Sequence, residues 1–94
     1  MPYKGQSRFL FRRESIESLR INTMGIYRLY RDALCIYIGK GDIRKRLLEH
    51  LNGDNPCITR EAPNYWGFEE IINMDEREKQ LIRELDPVCN KKVG

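Results

Sequence analysis

The sequence predicts a small α/β domain: a three-stranded, largely antiparallel sheet with helices on its faces. Three observations predict it. Two apolar and β-branched runs lie on either side of a short polar turn between residues 25 and 39, an amphipathic run with a four-residue repeat follows directly, and an aromatic run at 64–72 leads into a second amphipathic stretch. Ninety-four residues, 40% apolar and 33% charged, suit one soluble domain spanning residues 1–94.

In chain order, Phe9, Leu10 and Phe11 sit between Arg8 and Arg12-Arg13, and a short helical pattern opened by Glu14 or Ser15 runs through Ile16 and Leu19. This segment is either a lid on the core or a basic arm placing Arg8, Arg12 and Arg13 on a nucleic-acid backbone. The triplets Gly25-Ile26-Tyr27 and Tyr37-Ile38-Gly39 bracket a hairpin whose turn is expected at Arg31, Asp32 and Ala33, with Asp32 the only good turn former. Gly39 and Gly41 are expected to break the second strand around Lys40. Asp42 then caps a helix from Ile43 to Leu51 that Asn52-Gly53 ends.

On that helix Ile43, Leu47 and Leu51, widened by Leu48, form the buried stripe. Arg46 and His50 form a second stripe beside it, read either as a solvated face or as a cation and an imidazole converging on an anion. Residues 52–63, with Gly53, Asp54, Asn55, Pro56 and Pro63, read as a long loop. Tyr65, Trp66, Phe68, Ile71 and Ile72 mark the third strand, from Asn64 to Ile72, with Gly67 as a bulge position; its aromatics read as core, with a base-stacking role open for Tyr65. The last helix starts near Asp75 and ends before Pro87. Leu81, Ile82 and Leu85 form its inward stripe, while Arg77 is expected to face out. Glu78 shares the inward stripe, and an inward carboxylate needs a partner, a hydrogen bond or a metal. Asp75-x-x-Glu78 also has capping-box spacing, so periodicity alone leaves both readings standing.

The two triplets, the Lys after the second, the Asp42-Ile43-Arg44-Lys45-Arg46-Leu47 helix start and a His one turn beyond Arg46 closely resemble the GIY-YIG nuclease domain. That domain occurs in the incision subunit of bacterial nucleotide excision repair, in phage homing endonucleases, in some restriction enzymes and in small structure-specific nucleases. The resemblance covers residues 24–91, leaving 1–23 as an N-terminal extension. It implies a divalent-metal-dependent endonuclease that hydrolyses phosphodiester bonds in DNA, with structure-specific cutting and DNA repair as finer expectations.

The family's metal-binding Glu precedes by nine residues a Pro that is followed three on by an Asn, here Glu78, Pro87 and Asn90. Glu78 therefore looks like the ligand of one divalent cation, Mg²⁺ or Mn²⁺. By the same resemblance Tyr27 is the general base or orients the attacking water, with Lys40 or the metal favouring its phenolate. Arg46 stabilises charge on the scissile phosphate, Tyr37 and His50 hold phosphate or water, and Asn90 fixes the C-terminal segment. Lys40, Arg44, Lys45, Asn90, Arg12 and Arg13 are the expected nucleic-acid contacts. Two features depart from the family: the stretch from Gly39 to the helix is one residue short, and Cys89 stands where an aromatic is common.

No apolar run is long enough to span a membrane. Cys35, Cys57 and Cys89 are odd in number and share no C-x-x-C spacing, so neither a zinc site nor a disulfide framework is indicated and a reducing cytoplasm is the expected location. The net charge of +3 is uneven. Residues 1–20 carry five basic and two acidic side chains, 21–53 six and three, and 54–94 six and nine, which puts the positive excess where phosphates would be met. The alternative function is a nucleic-acid-binding module without catalysis, or a subunit of a larger nuclease; RNA as substrate and a partner subunit or homodimer stay open. A metabolic enzyme on the same fold lacks any cofactor motif.

Overall fold

Strands β2 (Met24–Arg31) and β3 (Leu34–Asp42) form the hairpin around which the other elements pack. The computed structural model describes residues 8 to 90, so residues 1–7 of the N-terminal extension, and Lys91 at the end of the family core, lie outside the described residues. The turn has two residues, Asp32 and Ala33, between the paired Arg31 and Leu34. Asp32 takes a left-handed conformation, φ 56°, which a short polar side chain tolerates. Asn64 holds it there, accepting from the Asp32 amide at 2.9 Å and donating to its carboxylate at 3.1 Å.

The sheet has four strands rather than three, in the order β1-β4-β2-β3, and every pairing is antiparallel. The extra strand is β1 (Phe9–Leu10), which pairs with β4 (Tyr65–Glu70). Two residues flanked by arginines are too short to show an alternation in sequence. β3 is an edge strand and runs unbroken to Asp42, so Gly39 and Gly41 do not interrupt it. Gly67 is not a bulge either: β4 pairs with β2 in regular register, and the irregularity falls in the hairpin, between Leu29 and Tyr30.

Strand side chains alternate between the two faces, with the phase shifting at Ile36 where the hairpin register slips, and this sorts the core into two layers. On one face, Tyr27, Leu29, Ile36 and Trp66 pack with Ile16 of helix α1 (Arg13–Glu17), Ile43 and Leu47 of helix α2 (Ile43–Leu51) and Ile58 of helix α3 (Pro56–Glu61). On the other, Ile26, Cys35 and Ile38 meet Leu81 of helix α4 (Met74–Leu85). Burying one such Leu or Ile contributes about 1.5–3 kcal/mol. The N-terminal segment therefore acts as a lid: Ile16 is fully buried, and Ser15 accepts from the Trp66 indole at 3.2 Å. Its helix starts at Arg13, ahead of both expected openers, without a side-chain cap.

α2 has its expected bounds, with Asp42 capping the Lys45 amide at 3.3 Å. The stretch 52–63 is not a structureless loop. Asn55 caps the amides of Cys57 and Ile58 and Pro56 opens α3, a signal that apolar periodicity over six residues is too short to reveal. Cys57 and Cys89 are joined by a disulfide, their Cα atoms 5.7 Å apart, which ties α3 to the short 3-10 turn Val88–Asn90 and overturns the reading of three unpaired thiols. Cys35 alone is free, and burial pushes its thiol up to about 11. On α4, Leu85 is exposed rather than inward, and Arg77 faces the sheet, where it forks onto Glu69 at 2.7 and 3.2 Å. No described helix is long and apolar enough to cross a membrane.

Candidate active site

Tyr27 and Gly39 are directly paired across the hairpin, and a Cβ on Gly39 would overlap the Tyr27 phenol. Gly39 is thus the residue that lets the Tyr27 ring lie across the neighbouring strand. Gly25 serves the backbone instead, since a Cβ there would run into the Glu69 carbonyl on β4. Both triplet glycines are required by close approach.

Tyr27 is fully buried, and its Oη lies 2.7 Å from Nε2 of His50, itself only 3% exposed. The ring of Tyr37 closes the group, 6.2 Å from Tyr27 and edge-on to His50 at 5.2 Å. Asp54, just past α2, completes it with Oδ1 2.7 Å from His50 Nδ1. Burial is the main reason that the Tyr27 phenol is raised above its ordinary pKa, with the Tyr37 phenol adding to it; the nearby Arg46 guanidinium pulls the other way. Tyr37 is raised as well, chiefly by burial, with Arg46 opposing and Glu78 adding. The cation beside the phenol is therefore Arg46, and not Lys40 as the resemblance suggested. Arg46 is partly exposed and also pairs with Glu49 at 2.9 Å.

Lys40 points to the α4 side of the sheet. Its Nζ lies 2.6 Å from Asp75 and 3.2 Å from Glu78, and these two carboxylates, Asp75 first, raise its pKa. Asp75 does not cap the helix: α4 starts at Met74 after Asn73, with no side-chain cap bond. Of the two readings of Glu78, the capping box is thereby removed. Glu78 is four-fifths buried, is neutralised by Lys40 and acts electrostatically on Tyr37 around the open edge of β3. Among the described residues no three His, Cys, Asp or Glu side chains form a metal cage. Glu78, with Asp75 beside it, offers hard oxygen donors only, which fits a hydrated divalent cation that completes its shell with water and substrate oxygens.

Tyr27, Tyr37, Arg46 and His50 thus meet on one face, with Lys40 and Glu78 around the edge of β3. Asn90 lies next to them but spends its amide on the fold, accepting from the Ile38 N–H at 2.8 Å and donating to the Ile38 carbonyl at 2.9 Å. The other expected contacts are not gathered at the site. Arg44 lies on the flank of α2 away from Arg46, Lys45 on its exposed side, and Arg12 and Arg13 pair with Glu14 and Glu17 within the N-terminal segment. Arg8 is committed to the hairpin tip, stacked 4.1 Å over Tyr30 and donating to the Asp32 carbonyl. Sequence reasoning missed Asp54, although its i+4 spacing from His50 past an Asn-Gly helix end is a readable signal.

No family model and no curated protein matches the sequence. Solved structures do. The magnesium-bound GIY-YIG N-terminal endonuclease domain of UvrC from Thermotoga maritima is similar to this chain with a TM-score of 0.67 at 24% identity, over 80% of this chain and 94% of that one. A Tyr→Phe point mutant of the same domain, bound to its catalytic divalent cation, gives 0.70 at 24% identity over 84% and 98%. At this identity the likeness establishes a GIY-YIG fold and leaves activity to be argued from the site.

Proposed function

We propose that this chain is a metal-dependent endonuclease that hydrolyses phosphodiester bonds in DNA. The observation that carries the reading is the convergence of a buried Tyr, a buried His, a partly exposed Arg and a carboxylate within one end of a small sheet, on the fold of a nuclease domain. Arg46 presents a permanently charged planar fork to a phosphate and would stabilise the charge that builds up as water attacks phosphorus. Tyr27 would orient that water and receive its proton, while Tyr37 and Lys40 position the phosphate and Asn90 holds β3 in place beneath them. When bound at Glu78, Mg²⁺ or Mn²⁺ supplies Lewis-acid polarisation of the phosphate oxygens. DNA is the partner the positive N-terminal half favours, and the cytoplasm is where we place the activity.

The test is cleavage of labelled duplex, single-stranded, flapped and four-way-junction DNA with Mg²⁺, Mn²⁺ or EDTA, comparing the native chain with Arg46→Ala and Glu78→Gln. Metal-dependent cuts lost in both variants establish the activity, and the preferred DNA identifies the substrate class. Binding without cuts, unchanged in both variants, sinks the reading and leaves a recognition module.

A further inference from the structure

The geometry points to Asp54 as a positioning residue that sets the tautomer and charge of His50, so that Tyr27 hands a proton on to His50 instead of standing as a phenolate. This rests on the nuclease reading. His50 is the chain's single histidine, and both ring nitrogens are engaged at 2.7 Å, Nδ1 by Asp54 and Nε2 by Tyr27. An ionised carboxylate can only accept, so Nδ1 carries the hydrogen. In the neutral ring Nε2 is then bare and accepts from the Tyr27 hydroxyl.

Asp54 reaches His50 because of how α2 ends. Gly53 has φ 88°, its N–H bonds to the His50 carbonyl at 3.1 Å, and the Asp54 N–H bonds to the Glu49 carbonyl at 3.2 Å. This pair of bonds is a Schellman termination, which turns the chain back over the last turn of the helix. The turn thus has a use beyond stopping the helix: it brings Asp54 back to the imidazole.

A buried phenol with a raised pKa is a poor phenolate, and a relay removes the need for one. As the water oxygen bonds to phosphorus, the bond from phosphorus to the leaving sugar oxygen breaks with its electron pair going to that oxygen, which takes a proton from solvent, while the water proton passes to Tyr27 Oη and the Tyr27 proton passes to His50 Nε2. The resulting imidazolium is balanced by the Asp54 carboxylate, and Tyr27 is neutral before and after. The titratable groups facing His50 are Tyr27 from β2, Tyr37 from β3, Arg46 on its own helix and Asp54; from the α3 side, Ile58, Thr59, Ala62 and Pro63 bring no charge.

One histidine means that ring nitrogen-15 spectra report His50 without assignment, whether or not the chain cuts DNA. We expect the Nδ1–H tautomer in the native chain and a mixture of both tautomers in Asp54→Asn, whose amide can donate to Nδ1 as well as accept from it. In the cleavage assay Asp54→Asn should lower kcat about 10- to 100-fold with KM unchanged, a loss on the scale of one impaired acid–base group. Asp54→Glu, which restores a carboxylate, should recover part of the rate. Asp54 is partly exposed past the helix end, and unfolding curves show whether the variants fold. An Nε2–H tautomer in the native chain, or identical ring nitrogen spectra or cleavage rates in the native chain and Asp54→Asn, overturns the assignment. A native chain that never cuts overturns the nuclease reading and the relay with it, while the spectra still decide whether Asp54 sets the tautomer.

Discussion

The phenol of Tyr27 occupies the space that a side chain on Gly39, its cross-strand partner, would fill. The second triplet's glycine is thus a condition for the first triplet's tyrosine. Gly39→Ala forces either the Tyr27 ring or the β3 backbone to move, and overpacking of this kind costs about 1–3 kcal/mol. The expected outcome is a lower urea midpoint together with lost cleavage. Wild-type cleavage in a folded Gly39→Ala chain would show that the ring position is not needed.

The disulfide between Cys57 and Cys89 closes a 32-residue separation. Loop-closure entropy sets its stabilisation at up to about 4 kcal/mol, in a model that engineered bridges often fall short of. Reduction, or Cys57→Ser, should lower the melting temperature, and the two should agree because each opens the same loop. If the oxidised and reduced chains melt together, the bridge contributes nothing to the fold.

The hairpin, α2 with its cap, β4 and α4 were legible because each carries a pattern several residues long. What stayed hidden has a common physical cause: it depends on pairing between distant positions. β1 is two residues whose identity as a strand comes from Trp66 and Tyr65 across from them. Cys57 and Cys89 share no sequence spacing and meet only because α3 and the 3-10 turn pack together. Arg28, 2% exposed in the middle of β2 with its Nε unpartnered among the described residues, breaks the rule that charges in strands face water. The site was legible in its residue types through the family resemblance. Its wiring was not: Arg46 rather than Lys40 beside the phenol, and Asp54 behind His50, follow from contacts across the fold.

Lys40 neutralises Asp75 and Glu78 together. Replacing it by Ala leaves two carboxylates close to each other with no cation between them, which raises their appetite for a divalent ion and removes the phosphate contact proposed for Lys40. We expect Lys40→Ala to reach half-maximal cleavage at lower Mn²⁺ than the native chain but with a lower maximal rate. A higher Mn²⁺ requirement would show that Lys40 helps to build the cation site instead of competing for it.

Two ion pairs contribute to how stability responds to acid, a contribution that solvent screening keeps small. Lys40 holds Asp75, and Arg31 holds Glu61, below the ordinary carboxylate range, in each case mainly through a hydrogen bond to the carboxylate. A depressed folded-state pKa gives stability that is fully present above the unfolded-chain value and is lost as pH falls through the folded value. The contribution of these pairs should thus be flat above about pH 5 and fall below about pH 4, where free carboxylates titrate. Asp75→Asn and Glu61→Gln should each flatten part of that fall in a urea series from pH 6 to pH 3; a fall equally steep in the double variant would assign the acid sensitivity to other groups.

Asn90 satisfies both backbone groups of Ile38, the residue between Tyr37 and Gly39. β3 is an edge strand, so without that side chain an N–H and a carbonyl at the centre of the site are left to water or to another chain. Losing two such bonds at a half-buried position costs about 1–3 kcal/mol. The effect should also reach the chemistry, because the backbone that Asn90 holds carries Tyr37 on one side and the glycine under Tyr27 on the other. Asn90→Ala should therefore lower both the urea midpoint and kcat, with KM for DNA changed much less, since the amide is spent on the fold. Asn90→Asp keeps an acceptor for the Ile38 N–H but loses the donor to its carbonyl, and should fall between the two. If Asn90→Ala weakens DNA binding while stability and kcat hold, the amide contacts nucleic acid after all and its bonds to Ile38 are dispensable.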